Sequence, residues 1–238
     1  MVRCVEGGSG LDRLAGLALV RAARAWAFVF LVLAAAGACL GWAAPWDANR
    51  ILTAASRHGD AAVAGVRALQ ASLAKVPPRD DATLLATVNT FFNQRIAFRE
   101  DLENWGQVDY WASPLESLQK GAGDCEDYAI AKYFTLISTG VPHKRLRLVY
   151  VRAAVNGLVV PHMVLAFYPS ADADPLVLDN LVPDIRPASR RPDLTPVFSF
   201  NAEAIWEGVG TANVGGNPGE RLSRWRDVLN RGKQEGFL

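Results

Sequence analysis

The chain has 238 residues, half of them apolar, which is enough to bury one hydrophobic core. Of its 25 basic and 24 acidic residues, four arginines and two acidic residues fall within residues 1–44, which leaves 21 basic and 22 acidic residues in the remainder. This balance provides no clustered Lys and Arg for phosphate contacts, so it argues against nucleic-acid binding.

Residues 25–44 form an uncharged apolar segment that follows an arginine-bearing start and ends in small residues before Pro45. This order is typical of a secretory signal peptide. We therefore expect residues 1–44 to be removed on export to the periplasm and residues 45–238 to form a single domain. A retained inner-membrane anchor is the alternative, because about 20 apolar residues can span a bilayer.

Helices are predicted in the first part of the exported chain. Apolar positions at helical spacing indicate one or two helices over residues 47–76, ending at Pro77-Pro78, and another over residues 80–95 with an aspartate N-cap. Residues 98–123 have little periodicity and predict an ordered loop held by buried aromatic side chains. A strongly helical run follows over residues 126–138, introduced by glycines and ended by Gly140 and Pro142.

Strands are predicted after residue 144. Residues 145–151, 162–168 and 175–181 have strand patterns, and Asn156-Gly157 is a strong hairpin signal between the first two. Segments interrupted by prolines follow Pro183, and residues 220–231 predict a short terminal helix. Helices followed by an antiparallel sheet indicate an α+β fold in which a helical lobe packs on that sheet.

Cys125 is the only cysteine of residues 45–238, because Cys4 and Cys39 lie in the segment expected to be removed. It falls at the first turn of a predicted helix, where unpaired N–H groups and partial positive charge favour a thiolate. The glycines before it would let a substrate backbone approach, and its own N–H could stabilise an oxyanion. We interpret Cys125 as a nucleophile; an inert buried cysteine is the alternative.

A thiol nucleophile needs a base within hydrogen-bond reach, and that base needs an orienting partner. Of the three histidines, His58 lies far upstream and His143 lies at the wrong end of the cysteine helix. His162 begins an apolar strand, one alternating face of which would point at the helix. Asp179 lies in an apolar run, where a carboxylate must be paired, and it could reach an imidazole on the neighbouring strand. The pattern predicts a Cys125–His162–Asp179 triad; a structural histidine and a capping aspartate are the alternatives.

These residues lie in motifs that resemble a known family. The motifs are GAGDCEDYAIAKY from residue 121, HMVL from residue 162, LDN from residue 178 and DYWASPLE from residue 109. Over about residues 90–206 the chain is similar to the bacterial transglutaminase-like cysteine proteinases, above all to periplasmic proteases of the LapG type. The resemblance implies a papain/transglutaminase-like core with the cysteine on a helix and the histidine and aspartate on neighbouring strands.

The resemblance also implies a substrate and a partner. The substrate would be a large surface adhesin, cut near its N-terminus at an Ala-Ala bond, which releases cells from biofilms. The partner would be a LapD-like inner-membrane receptor that sequesters the protease when cytoplasmic cyclic-di-GMP is high.

Asp124, Glu126 and Asp127 surround the predicted nucleophile. Three carboxylates should raise the pKa of a nearby thiol unless their charge is neutralised, and Ca²⁺ takes oxygen ligands of this kind. Because LapG-type proteases are calcium-dependent, the resemblance implies that these residues bind Ca²⁺, with carbonyls, waters or a remote residue such as Asp109 completing the shell. Stabilisation of the helix N-terminus by these charges alone is the alternative.

Three other functions fit the same residues. A transglutaminase would pass the acyl group to a lysine amine, and a peptidoglycan endopeptidase would release muropeptides. A receptor-bound module with an inert triad would do neither, and its Cys125 would not react with iodoacetamide at neutral pH.

Overall fold

The computed structural model describes residues 47–238, so the expected signal segment, residues 1–44, lies outside the described residues. The helices, in chain order, are α1 (Ala48–His58), α2 (Asp60–Leu73), α3 (Asp81–Arg95), α4 (Asp101–Trp105), α5 (Pro114–Lys120), α6 (Cys125–Ser138), α7 (Pro218–Arg221) and α8 (Ser223–Glu235). No helix of the described residues is long and apolar enough to cross a membrane.

The helices predicted over residues 47–76 and 80–95 are confirmed as α1, α2 and α3. α2 ends at Leu73, before the two prolines. α3 begins where the Asp80 carboxylate accepts a hydrogen bond from the backbone N–H of Thr83 at 2.9 Å. The terminal helix is also present as α8, although it ends four residues later than predicted.

The prediction of a loop over residues 98–123 is wrong in part, because this segment contains α4 and α5. α5 starts with a capping box, in which Ser113 and Glu116 each accept a backbone N–H of the other, and Pro114 occupies its first turn. The aromatic side chains predicted to be buried in this segment are partly exposed instead: Trp105, Tyr110 and Trp111.

Two sheets are present among the described residues. β1 (Ala97–Phe98) and β2 (Ala122–Gly123) form a short parallel pair. The larger sheet contains β3 (Leu146–Val155), β4 (Leu158–Phe167), β5 (Leu176–Leu178), β6 (Arg186–Pro187), β7 (Leu194–Phe200) and β8 (Ile205–Glu207). Its strands are antiparallel in the order β6-β5-β4-β3-β7-β8.

The predicted hairpin joins β3 and β4. Its turn residues have positive φ, +51° at Asn156 and +79° at Gly157, as a type I′ turn requires. The strands β6, β7 and β8 were not predicted, because prolines interrupt this part of the sequence. Pro196 lies within β7, at a register shift between Tyr150 and Val151 of β3.

α6 is the centre of the fold. Ten consecutive residues of this helix, Asp127–Leu136, are buried, as expected for a helix covered on all sides. It packs against α3 and α5 on one side and against β3 and β4 on the other. The described residues form one compact unit, and its arrangement confirms the predicted α+β fold with the cysteine helix packed on an antiparallel sheet.

Candidate active site

Two glycines set the start of α6. Gly121 ends α5 with a φ of +63°, and a Cβ on Gly123 would lie 2.6 Å from the carboxylate of Asp127. These glycines therefore serve the local chain path, which is a different reason from the substrate access expected from the sequence. Cys125 becomes the first residue of α6, so its N–H has no partner within the helix.

The Cys125 thiol lies between an acidic side chain and the edge of β4. Its Sγ is 3.0 Å from Oε2 of Glu126, to which the thiol donates. The backbone N–H of Met163, the residue that follows His162, lies close enough to the thiol to lower its pKa. Burial, and then the charge of Glu126, raises the pKa of the thiol far above its ordinary value.

His162, Asp179 and Arg191 form a buried chain of hydrogen bonds. Nε2 of His162 lies 2.8 Å from Oδ1 of Asp179, which leaves Nδ1 of the imidazole free for another partner. Arg191 donates from Nη2 to Oδ2 of the same carboxylate at 2.7 Å, and the Leu181 N–H donates to Oδ1 at 3.0 Å. Burial alone would raise the pKa of Asp179, but the hydrogen bond and charge of His162, followed by the hydrogen bonds from Arg191 and from the Leu181 N–H, lower it to about 2.

The thiol lies at the edge of β4 near His162, and not against the sheet face to which the His162 side chain belongs. His162 alternates with Val164 and Ala166, which pack in a small cluster on the sheet face opposite α6. Met163 instead joins the main core on the α6 side. The Met163 N–H, which is directed away from β3, is the β4 group that lowers the pKa of the Cys125 thiol.

A cluster of aspartates lies under the start of α6. β1 pairs with β2, and this pairing brings Asp101, the first residue of α4, beside Asp124 and Asp127. One carboxylate oxygen from each of the three lies within 4.8 Å of the others. Asp101 also forms a second such group with Asp109 and Glu126, so Glu126 lies beside the buried cluster rather than in it.

The buried cluster fits a cation. Asp101, Asp124 and Asp127 each keep a buried carboxylate oxygen that has no hydrogen-bond partner among the described residues. Burial is the main reason that the pKa of Asp101 rises to about 6, that of Asp124 to about 10, and that of Asp127 well above its usual value. Carboxyl groups in this state need either protons or a cation, and Ca²⁺ takes carboxylate oxygens as ligands.

Comparison with known proteins decides the family. A model of the bacterial transglutaminase-like cysteine proteinases (BTLCP) matches residues 65–193, more than half of the chain. The chain belongs to this family. It is therefore a cysteine protease, and Cys125 is the only cysteine among the residues that the structure describes. No curated protein matches the chain.

Solved structures of Legionella pneumophila LapG are similar to this proteinase. The EGTA-treated form is 36% identical, with a TM-score of 0.67, and the match covers 80% of this chain and all of that one. The calcium-bound form is also 36% identical, with a TM-score of 0.65, and the match covers 77% of this chain and 98% of that one. These matches confirm the transglutaminase-like protease fold.

Sequence reasoning missed two residues of the site. Asp101 lies in a charged segment, Arg99-Glu100-Asp101, that is typical of the exposed first turn of a helix. Arg191 lies among prolines and other charged residues, with no strand or helix pattern to indicate burial. Asp193, which accepts hydrogen bonds from Nε of Arg191 at 2.9 Å and from Nη2 at 2.7 Å, is the one local signal that this arginine is held in place.

Proposed function

We propose that this proteinase is a calcium-dependent periplasmic endopeptidase that uses a Cys125–His162–Asp179 triad to cleave a large surface adhesin near its N-terminus. The observation that carries the proposal is the position of the thiol. The Met163 N–H, one residue after an imidazole whose Nε2 is occupied by a buried carboxylate, is close enough to the thiol to lower its pKa. Nδ1 of His162 is therefore the nitrogen available to a thiol at this edge.

The reaction is acyl transfer to water. His162 Nδ1 takes the Cys125 proton, and the thiolate attacks the scissile carbonyl carbon while the Cys125 N–H stabilises the oxyanion. The tetrahedral intermediate collapses, the C–N bond breaks, and the leaving amine takes the proton from His162. His162 then deprotonates a water that attacks the thioester, which releases the acid product and restores the thiol.

Asp179 and Arg191 orient the base in this scheme. The carboxylate fixes the imidazole with Nε2 protonated and stabilises the imidazolium that forms during attack. Arg191 occupies the second carboxylate oxygen, so Asp179 remains ionised and cannot rotate away from His162.

Calcium would be held by Asp101, Asp124 and Asp127, with Glu126 and Asp109 at the neighbouring position. Its charge would neutralise carboxylates that otherwise raise the pKa of the thiol. The three unpartnered oxygens of the cluster support this assignment, as does the similarity to a calcium-bound LapG structure.

Location, substrate and partner belong to the same proposal. The apolar segment at residues 25–44 supports export to the periplasm. The similarity to LapG supports an adhesin substrate with a di-alanine site, control of biofilm attachment, and sequestration by a LapD-like receptor in response to cyclic-di-GMP.

The test is cleavage of an N-terminal adhesin fragment that contains an Ala-Ala sequence, followed by mass spectrometry of the products. We expect the wild-type protein to cut this fragment in calcium and to stop in excess EGTA. Cys125→Ala and His162→Ala should abolish cleavage while keeping the thermal unfolding profile of a folded protein.

His143→Ala is the matched control, because this histidine lies beyond the far end of α6, where it contacts Tyr133. It should retain the wild-type rate. Wild-type turnover by Cys125→Ala would contradict the proposal, as would crosslinked products or the release of muropeptides in place of adhesin cleavage.

A further inference from the structure

β4 is paired on both sides along only part of its length. It pairs with β3 over all of Leu158–Phe167, whereas β5 covers only its last three residues, Leu165–Phe167. Among the residues that the structure describes, no strand pairs with the β5 side of residues 158–164. This free edge, residues 158–161, leads directly to His162.

The hairpin register shows which backbone groups point outward at this edge. Val155 and Leu158 face each other across a two-residue turn, so the N–H and C=O groups of Leu158 and of every second residue after it point at β3. The N–H and C=O groups of Val159 and Met163, and the C=O group of Pro161, point away from β3. Two observations agree with this pattern: the Met163 N–H is close enough to the Cys125 thiol to lower its pKa, and Pro161, which has no N–H, is at an outward position.

The outward backbone groups therefore form a row along the edge of β4 that begins near the Cys125 thiol. The Pro161 carbonyl comes next after the Met163 N–H, and the Val159 N–H and carbonyl follow about 7 Å further along the strand. Both are exposed positions. Unpaired strand groups of this kind can bind another extended chain.

Exposed apolar side chains flank the free edge. Leu158 and Val159 on β4 are each 68% exposed. A chain lying along the free edge would contact these two side chains as well as the backbone groups.

We propose that the free edge binds the protein substrate as an added β-strand, with the scissile bond beside Cys125. The inference rests on the proposed protease function and defines its substrate as an extended polypeptide segment rather than a folded domain. The substrate N–H groups donate to the carbonyls of Pro161 and Val159, and a substrate carbonyl accepts from the Val159 N–H. Backbone pairing of this kind provides affinity that depends little on the substrate side chains.

Val159→Pro tests the backbone claim, because it removes an outward N–H without removing a hydrogen bond to β3. Val159→Ala is the matched control, since it shortens the side chain and keeps the N–H. The probe is a fluorescent peptide that spans the Ala-Ala sequence of the adhesin fragment, and its Kd is measured in a Cys125→Ala background. We expect Val159→Pro to weaken binding about five- to tenfold, as loss of one hydrogen bond does, and Val159→Ala to bind close to the parent.

A second measurement leaves the protein unchanged. Peptides carrying a single N-methyl group at successive backbone positions should lose affinity at every second position, because only alternate N–H groups of an added strand face β4. A uniform effect, the absence of any effect, or failure of the peptide to bind would overturn the proposal. Equal Kd values for Val159→Pro and Val159→Ala would overturn it too.

Two further outcomes distinguish substrate binding at this edge from a dimer interface, and a failure of this proposal from a failure of the proposed protease function. If Val159→Pro changes a dimer into a monomer and leaves peptide binding unchanged, the edge is an interface between two copies of the chain and the proposal is wrong. Failure of the wild-type protein to cleave a peptide that binds with the alternating pattern would count against the proposed protease function and not against the edge.

Discussion

Arg191 and Asp179 are both buried and lie 2.7 Å apart, so neither side chain can be removed without leaving the other charge unpaired. The pair lies next to His162, and in the proposed mechanism it fixes a carboxylate rather than touching the substrate. Breaking a buried ion pair by removing one partner typically costs about 3–5 kcal/mol.

Arg191→Met should therefore lower the free energy of unfolding by about 3 kcal/mol and reduce kcat/KM. It should also raise the pKa of Asp179 from about 2. A carboxyl whose pKa is lowered on folding stabilises the protein above its unfolded pKa and loses this contribution as the pH falls towards 2. Urea unfolding between pH 4 and 2.5 should thus show a weaker pH dependence in the variant.

Arg190→Met is the control for this variant, because the neighbouring arginine is exposed. It should match the wild-type protein in stability and kcat/KM. Equal unfolding free energies for the two variants would show that Arg191 does not hold Asp179.

Asp101 provides a test of the cation site. Its unpartnered oxygen lies in the buried cluster, and it is also a member of the neighbouring group that contains Glu126. Calcium should raise the Tm of the wild-type protein, because a ligand that binds only the folded state stabilises it. Asp101→Asn should lose most of this increase.

Asp172→Asn, an exposed aspartate outside the cluster, is the matched control and should keep the full calcium-dependent increase in Tm. Thermal unfolding in calcium and in EGTA measures both variants. An Asp101→Asn protein with the wild-type response to calcium would remove this residue from the site.

At the scale of elements, α6 carries both the proposed nucleophile and a buried lysine. Lys132 is fully buried within this helix, and its ammonium lies over the ring of Tyr128 at 5.7 Å. Burial lowers the pKa of Lys132 to about 7, although the charge of Asp179 acts in the opposite direction. The free lysine in an unfolded chain keeps its proton up to about pH 10.

Between pH 7 and 10 the unfolded state therefore holds a proton at Lys132 that the folded state does not, so stability should rise with pH in this window. Lys132→Met should remove that rise. Between pH 7.5 and 9.5 we expect the gain in unfolding free energy to be smaller by about 2 kcal/mol in this variant than in the wild-type protein.

Urea unfolding at the two pH values gives this difference, and the exposed Lys144→Met serves as control. An identical pH response in the wild-type protein and Lys132→Met would mean that Lys132 is charged throughout the range.

The elements differ in how far the sequence predicts them. α3 and the β3–β4 hairpin were predictable because a capping aspartate and Asn-Gly are local signals with specific geometry. The α5 capping box, Ser113-Pro114-Leu115-Glu116, was an equally local signal that the surrounding aromatic residues obscured. β7 could not be predicted, because Pro196 is accommodated only through a register shift against β3.

At the scale of the whole molecule, the site combines residues that are far apart in the chain. Cys125 and His162 could be proposed from the sequence because residues 45–238 contain one cysteine and three histidines, which leaves few choices. Asp101 and Arg191 could not, since their burial depends on the β1–β2 pairing and on the path of the chain after β6. The site thus includes Asp101, which no local pattern indicates, and Arg191, for which the nearby Asp193 is the one local signal.

The rate at which iodoacetamide alkylates Cys125 at pH 7 reports whether His162 and a bound cation activate the thiol, because it measures the reactivity of the thiol without any substrate. We predict fast alkylation of the wild-type protein in calcium, and slow alkylation both in EGTA and in His162→Ala. Equal rates in all three cases would contradict an account in which His162 and a bound cation activate Cys125.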